Sequence, residues 1–432
     1  MPPTNLFTPP NDFEQVKSAL NGITVFAPRP KKDTSADAKS YICPQCGASL
    51  SFDLASSDGV VCSYCGYKQA IQAEHVGHSA KSTEFTLDTV EKAERGWGEM
   101  RTMLHCDNCG AELTYSKGVI ATTCPYCASN KVNVQVASDD KLRPRFLVPF
   151  KVRIDQLPQL ASVWLGKGWF HPKELAAYTI VQNFNGIYTP YWVFDSHINA
   201  QWQAEVGHEE HYQVYDAAEK RWETRTRIVW EWQDGWLHLP YKDHLEIGIS
   251  DGHIRHSMLN KVKPFNLADL VVYKPDYLAG LQAQAYDIKL TDAWESAKNS
   301  MRESAKNSCI ASIHSSYVRN FSMTAEFENE TWRYILLPIY LASYRFNEKV
   351  YQVMVNGQTG KITGQKPVAW QKVSLAIAAC LLPALVIGLI GVITSFIAGI
   401  GFPLLGLAGI LLVIGVIISF VIYFNARGSE KG

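Results

Sequence analysis

This sequence has no excess of either charge: 41 Lys and Arg stand against 41 Asp and Glu in 432 residues. A surface built throughout for nucleic acid carries a clear basic excess, so that class is excluded for the chain as a whole. Met1–Lys32 holds six prolines and no apolar run of signal-peptide type. It reads as a flexible tail over 1–40, with a short helix expected near 12–20. No G-x-S-x-G elbow, dinucleotide G-x-G-x-x-G, Walker A sequence or D-E-x-[HD] box occurs, so hydrolase, dehydrogenase and helicase chemistry lack their usual residues. Disorder is excluded by 47% hydrophobic and 12% aromatic residues. One local absence matters most: from Val373 to Ala426 there is no Asp, Glu, Lys, Arg or His.

A membrane crossing takes about 20 apolar residues, because a helix rises ~1.5 Å per residue and the hydrocarbon layer is ~30 Å thick. The uncharged stretch therefore suits two crossings, expected at about 374–396 and 404–424. The break falls at Gly399-Ile-Gly-Phe-Pro403, where glycine and proline favour a turn. Lys361, Lys366 and Lys372 precede the stretch and Arg427 and Lys431 follow it. Basic residues at both outer ends predict a multi-pass inner-membrane protein with both termini in the cytoplasm. Small residues recur four apart at Ala384/Gly388 and at Gly391/Ser395/Gly399, which predicts close helix packing, within the hairpin or against a partner. No ionisable group lies inside, which argues against a channel or transporter.

Eight of the ten cysteines form four Cys-x-x-Cys pairs: Cys43/Cys46, Cys62/Cys65, Cys106/Cys109 and Cys124/Cys127. Fifteen residues separate the first two pairs and fourteen the last two. A two-residue gap lets both sulfurs of a turn face one ion, and a hairpin brings up the second turn to complete a tetrahedron. Gly47, Gly66 and Gly110 follow second cysteines, where the turn calls for positive φ. The spacing predicts two structural Zn2+ ions, in ribbons over 41–70 and 104–131 joined by a linker with a short helix over 71–103. Four disulfides, iron, or a redox dithiol are the rivals. Cytoplasmic placement disfavours the disulfides, and the redox motif lacks its α/β setting. With four protein ligands apiece, neither site keeps an open coordination position, so no catalytic residue is assigned. Cys309 and Cys380 read as small buried apolar residues.

Neither ribbon has the Lys/Arg cluster that phosphate binding needs. The short basic runs Arg29-Pro-Lys-Lys32 and Lys141-Leu-Arg-Pro-Arg145 lie outside them and read as solvated linker. Between 142 and 370 the pattern predicts an aromatic-rich, largely antiparallel α+β domain. Strands are expected at about 145–154, 186–206, 211–216, 221–232, 310–327, 332–345 and 349–356, and helices near 155–166, 171–178, 253–262 and 290–307. Glu-Ser-Ala-Lys-Asn-Ser occurs at 295–300 and again at 303–308, which reads as a solvated helix face, with Asp292 and Glu295 as a capping box. Gly357-Gln-Thr-Gly-Lys361 is a turn in a hairpin over 351–364, lacking the four-residue gap and the Ser/Thr of a phosphate loop. His208-Glu-Glu-His211 and His253/His256 are spaced three apart rather than four, which does not fit the metalloprotease pattern.

Several segments resemble a bacterial group: the four knuckles, Thr189-Pro-Tyr-Trp-Val-Phe-Asp195, Tyr277-Leu-Ala-Gly-Leu281 with Tyr286, Leu336-Leu-Pro-Ile-Tyr340, and Val355-Asn-Gly-Gln-Thr-Gly360 before the hydrophobic hairpin. Over roughly 40 to 425 the chain resembles membrane-anchored double zinc-ribbon proteins, labelled TFIIB-type zinc ribbon-containing or primosomal helicase-like. Some members resemble neighbours of SPFH- and PspA-type membrane-stress proteins. The resemblance implies a non-enzymatic scaffold that recruits protein partners at the bilayer, in an envelope-stress or microdomain assembly. Two other readings stay open: a membrane-tethered nucleic-acid-binding protein, and an enzyme with a pocket in the aromatic domain.

Overall fold

The computed structural model describes residues 13–16, 25–28, 41–56, 59–85, 93, 95–97, 101–116, 124–127, 129–136, 141–177, 184–216, 220–252, 254–347, 349–398 and 401–431. Three strands dominate it: Asn185–Asp216, Arg221–Ile247 and Tyr317–Phe346, of 32, 27 and 30 residues. The first lies in the middle, antiparallel to the other two, within a 12-stranded sheet. At ~3.3 Å per residue the longest spans roughly 100 Å.

One strand changes its burial pattern along its length, and that change explains the architecture. Over 318–330 Tyr317–Phe346 mostly alternates exposed with half-buried residues, whereas 333–342 is buried at every position. Alternation means one covered face; continuous burial means two. Residues Trp332, Tyr334, Leu336 and Tyr340 point to one core with Tyr188, Trp192 and Phe194. Ile335, Leu337, Ile339 and Leu341 point to a second core with Ile187, Tyr191 and Val193. The first core is capped by the helices Leu157–Leu165 and Leu290–Ser312. The second is capped by the helix His256–Val262 and by the second cysteine ribbon. The middle domain is thus α+β, as expected.

Beyond the cores the long strands continue as a wing. The helix Leu290–Ser312 covers one face of the wing's root with a stripe of Ala293, Ala297, Met301, Ala305 and Cys309. Ala297 and Ala305 are the same position in the two hexapeptide copies, so the eight-residue offset buries one alanine from each and leaves the rest mostly solvated. The helix starts at Leu290 with Lys289 as its N-cap and no capping side chain. Asp292 therefore lies in its first turn and forms no capping box. On the opposite face of the wing Trp232 and Trp236 stand 57% and 75% exposed.

Several expected boundaries move. The segments 186–206 and 211–216 are one strand, and 221–232 continues to Ile247. Gly235, beyond the expected end at 232, lies opposite Trp202, whose ring leaves only 2.7 Å for a Cβ there. The strand expected from 310 starts at Tyr317 because the helix runs to Ser312. Phe13–Val16, within the expected N-terminal helix, is instead a strand paired with Val25–Pro28, whose backbone supplies its hydrogen bonds. Among the described residues of the 71–103 segment the one helical turn is a 3-10 turn at Gly77–Ser79, and Thr83–Glu84 joins the main sheet; 86–92, 94 and 98–100 lie outside the described residues.

Two helices follow the hairpin of Lys349–Asn356 with Ile362–Gly364: Trp370–Ala398 and Gly401–Lys431. Both are long and apolar enough to cross a membrane. They pack antiparallel against one another. A Cβ on Gly388 would lie 3.6 Å from that of Ala408, and one on Gly415 2.7 Å from the Cys380 carbonyl. Pro403 is tolerated because it sits in a first turn, where no amide partner is lost.

Candidate metal centres

Three of the four cysteine pairs sit on turns ending in a left-handed glycine; Gly47, Gly66 and Gly110 have φ of 75°, 75° and 74°. In the first ribbon the strands Leu50–Phe52, Gly59–Cys62 and Lys68–Ala70 bring the two turns together. The sulfurs of Cys43 and Cys65 lie 3.5 Å apart, as do those of Cys46 and Cys62. In the second ribbon Arg101–Cys106 pairs with Glu112–Ser116 and Val132–Val136. Cys106 and Cys127 sulfurs are 3.7 Å apart, and so are those of Cys109 and Cys124.

These distances separate a metal site from disulfides. A disulfide needs ~2.05 Å between sulfurs. Four thiolates at ~2.3 Å from one tetrahedral ion stand about 3.8 Å from each other. All four sulfurs in each group lie within 4.8 Å of one another. The two quartets are positioned to bind metal ions as two structural zinc sites.

The electrostatics of the sulfurs suits a cation. Backbone N–H groups of Cys65 and Tyr64 point at the Cys62 sulfur and bring its pKa down to about 6, against the desolvation that raises it. Burial raises Cys127, but the Asn108 amide at 3.5 Å and the Ser129 N–H outweigh it and bring it to about 7. Their neighbours move the other way. The Ala48 N–H lowers Cys46, yet desolvation and the three other sulfurs push it up to about 12. Burial, opposed by the Ala111 N–H, pushes Cys109 higher still, with the neighbouring sulfurs adding to it. Amides aimed at sulfur favour thiolate, but four thiolates cannot coexist without a positive ion between them.

The ribbons are attached differently. The second is built into the main sheet: Thr114 pairs with Ala283, and its Oγ1 donates to the Ala283 carbonyl at 2.8 Å. The turn carrying Cys124 and Cys127 is clamped by Ser343 Oγ and Gln352 Nε2, which donate to the Tyr126 carbonyl at 2.9 and 2.8 Å. It does not project. The first ribbon is a separate three-stranded sheet docked on the body, through Phe52 N–H to the Ala279 carbonyl at 2.7 Å, Ile154 N–H to the Leu54 carbonyl at 3.2 Å, the Phe52–Tyr277 ring contact and Ala279 packed among Cys43, Leu50, Val60 and Cys62, with no strand pairing to the main sheet among the described residues. Its turns face outward: Cys46 and Cys65 are exposed, and Tyr64 is 89% exposed.

The remaining sequence candidates are placed elsewhere. His208 and His211 lie on one strand, and their odd separation puts them on opposite faces. His208 meets Gln233, and His211 meets Thr226. His256 Nε2 donates to the Ile249 carbonyl at 2.6 Å, while His253 lies outside the described residues. Gly357–Lys361 is a turn whose amides at Gln358 and Thr359 are held by the Asn356 side chain. The basic run at 141–145 is structural. Lys141 stacks on Tyr286, Arg143 donates to the Arg95 and Gly96 carbonyls, and Arg145 donates to Thr83. The run at 29–32 lies outside the described residues. Cys309 is fully buried and Cys380 partly so. Buried cations escaped the sequence reading, among them Arg101, Lys366 and Arg333; the signal for Arg333 was a lone cation inside an apolar run.

Among known proteins, the chain is similar to an uncharacterized protein of Bacillus subtilis (strain 168), YdjG. The two are 26% identical over 338 residues, which covers 78% of this chain and 92% of that protein. No family model matches. No solved structure matches.

Proposed function

We propose that this chain is a membrane-anchored, non-enzymatic zinc-ribbon scaffold whose first ribbon recruits protein partners. The hairpin would hold the body on the cytoplasmic face of the inner membrane, with both termini inside, as the flanking Lys361, Lys366, Lys372 and Arg427 favour. The observation that carries the reading is Tyr64: a large aromatic side chain held 89% exposed at the tip of a metal-rigidified turn. Exposed Ile42 lies on the same ribbon. Rigid exposed aromatics anchor protein interfaces, whereas phosphate contact would need the basic residues this ribbon lacks. Eight protein thiolates saturate two ions, which supports a binding role over catalysis. By its resemblance to the double-ribbon family, an SPFH- or PspA-type membrane-stress assembly is the setting.

A photocrosslinking residue at position 64 in living cells tests this. A discrete protein adduct, lost in a Cys46→Ser background, is the expected result. Adducts to nucleic acid alone, or none, would overturn it. A reporter fused after Gly432 that is active only outside the cytoplasm would overturn the orientation.

A further inference from the structure

Where the soluble body meets the apolar hairpin there is a cavity of about 380 Å³, lined by Trp164, His171, Lys261, Lys366, Asn425 and Ser429 among others. Its depth along the hairpin is marked by aromatic rings. The Trp370 and Tyr423 rings meet in a tilted contact at 5.8 Å near the ends of the two helices, one turn short of Arg427. Aromatic and basic residues at a helix end sit at headgroup level. The cavity wall at Phe424–Ser429 belongs to the same turn, so the cavity opens where lipid phosphates lie.

Its charge is of one sign. Lys261 and Lys366 line it, the Lys372 ammonium is bonded to the His171 carbonyl behind it, and among the described residues no carboxylate lines it. Glu430, next along the helix, is paired with Lys349. Lys366 is the unusual group. It is 7% exposed, its ammonium lies 4.2 Å from the Trp164 ring, and it donates to the carbonyls of Trp164 at 2.5 Å and Lys167 at 3.1 Å. An ammonium has three donors; the third has no partner among the described residues. Burying a cation without a counter-charge is costly, and an anion in the cavity would relieve that cost. Burial, together with Lys167, accordingly lowers the Lys366 pKa to about 8. The negative end of the second apolar helix is blunted, since Lys366 N–H donates to the Ser429 carbonyl at 2.9 Å.

We propose that this cavity binds the phosphodiester of an anionic phospholipid, through Lys261 and Lys366. The proposal rests on the membrane-anchor reading. A soluble phosphate would meet the same chemistry, and the test separates the two sources. The full-length protein in neutral detergent is offered phosphatidylglycerol, phosphatidylcholine or inorganic phosphate, and bound adducts are weighed by native mass spectrometry. One phosphatidylglycerol should be retained in preference to phosphatidylcholine and resist inorganic phosphate. Binding should weaken about fivefold in Lys261→Ala, the cost of one lysine near a lipid surface. Lys366→Met should lose it more completely, with zinc content reporting that the body remains folded. Equal retention of both lipids, displacement by inorganic phosphate, or unchanged binding in Lys261→Ala would overturn the proposal. Alkaline carbonate extraction of native membranes is run in parallel. Release of the wild type overturns the anchor and this site with it, whereas retention with equal lipid binding overturns the site alone.

Discussion

Arg101 Nη2 donates to the Leu281 carbonyl at 2.9 Å, joining residues 180 positions apart, and its Nε holds Thr114 at 3.1 Å. The guanidinium thereby ties the second ribbon to the strand Gln282–Ala283 and through it to the main sheet. Two metal sites alike in sequence therefore have different mechanical roles.

Replacing one ligand at a time should expose that difference. Structural zinc contributes about 10–16 kcal/mol of apparent binding energy, comparable with the ~5–15 kcal/mol stability of a whole domain. Cys46→Ser and Cys109→Ser should each lower zinc from two ions to one per chain. Only Cys109→Ser should also lower the melting temperature of the aromatic domain. Metal analysis with thermal unfolding in detergent measures both, and equal melting shifts would contradict the unequal attachment.

Arg333, 2% exposed, places Nη2 3.0 Å from both oxygens of Asp195 and 2.6 Å from Asp243. Asp243 itself holds φ at +57° and meets His78 at 2.8 Å. Removing the arginine leaves two carboxylates facing each other with only the exposed His78 imidazole beside Asp243. Arg333→Met should cost about 3–5 kcal/mol, and adding Asp195→Asn with Asp243→Asn should recover much of it. Denaturant unfolding of Arg333→Met, of Asp195→Asn with Asp243→Asn, and of all three combined would show this; an additive loss would contradict the pairing.

The small-residue contacts of the hairpin allow a covalent test. A Cβ at Gly388 stands 3.6 Å from that of Ala408, within the ~3.5–4.5 Å range of a disulfide. Gly388→Cys with Ala408→Cys, in a Cys380→Ala background, should close an intrachain bond on mild oxidation. Gly415→Leu should prevent it, because its side chain would meet the Cys380 carbonyl. Peptide mapping after oxidation reads the outcome, and an interchain bond would instead place these faces between copies.

His171 should make the junction sensitive to acid. Burial holds its pKa below the usual 6.5, and Lys366 and Lys372 lower it further, against the Pro367 carbonyl that accepts from Nδ1 at 2.9 Å. With the folded value depressed, the opened form takes up the proton first. The stability contributed is full above pH 6.5 and is lost as pH falls through the depressed value. The protection factors of amides 166–171, with the intrinsic pH dependence of exchange divided out, should therefore fall on acidification in the wild type and stay flatter in His171→Asn. The same slope in both would remove His171 as the cause.

The sequence was most legible where chemistry is local. Cys-x-x-Cys turns, their positive-φ glycines and the uncharged stretch after Lys372 need no distant partner to be read, because ligand spacing, steric freedom and hydrophobic length act within a few residues. The wing was illegible for the opposite reason. The polar run at 207–210 and Gly235 look like interruptions. They are strand because a neighbouring strand supplies every hydrogen bond, and because Trp202 fills the space over the glycine.

By itself, then, the sequence determined which eight sulfurs gather into quartets and which residues avoid water, since both follow from side-chain chemistry at short range. Tertiary structure alone decided that one quartet is welded into the sheet while the other presents Tyr64 to solvent, and that Lys366 is buried without a carboxylate beside the apolar hairpin. Those outcomes depend on which surfaces lie against each other across hundreds of residues, and no local pattern encodes that.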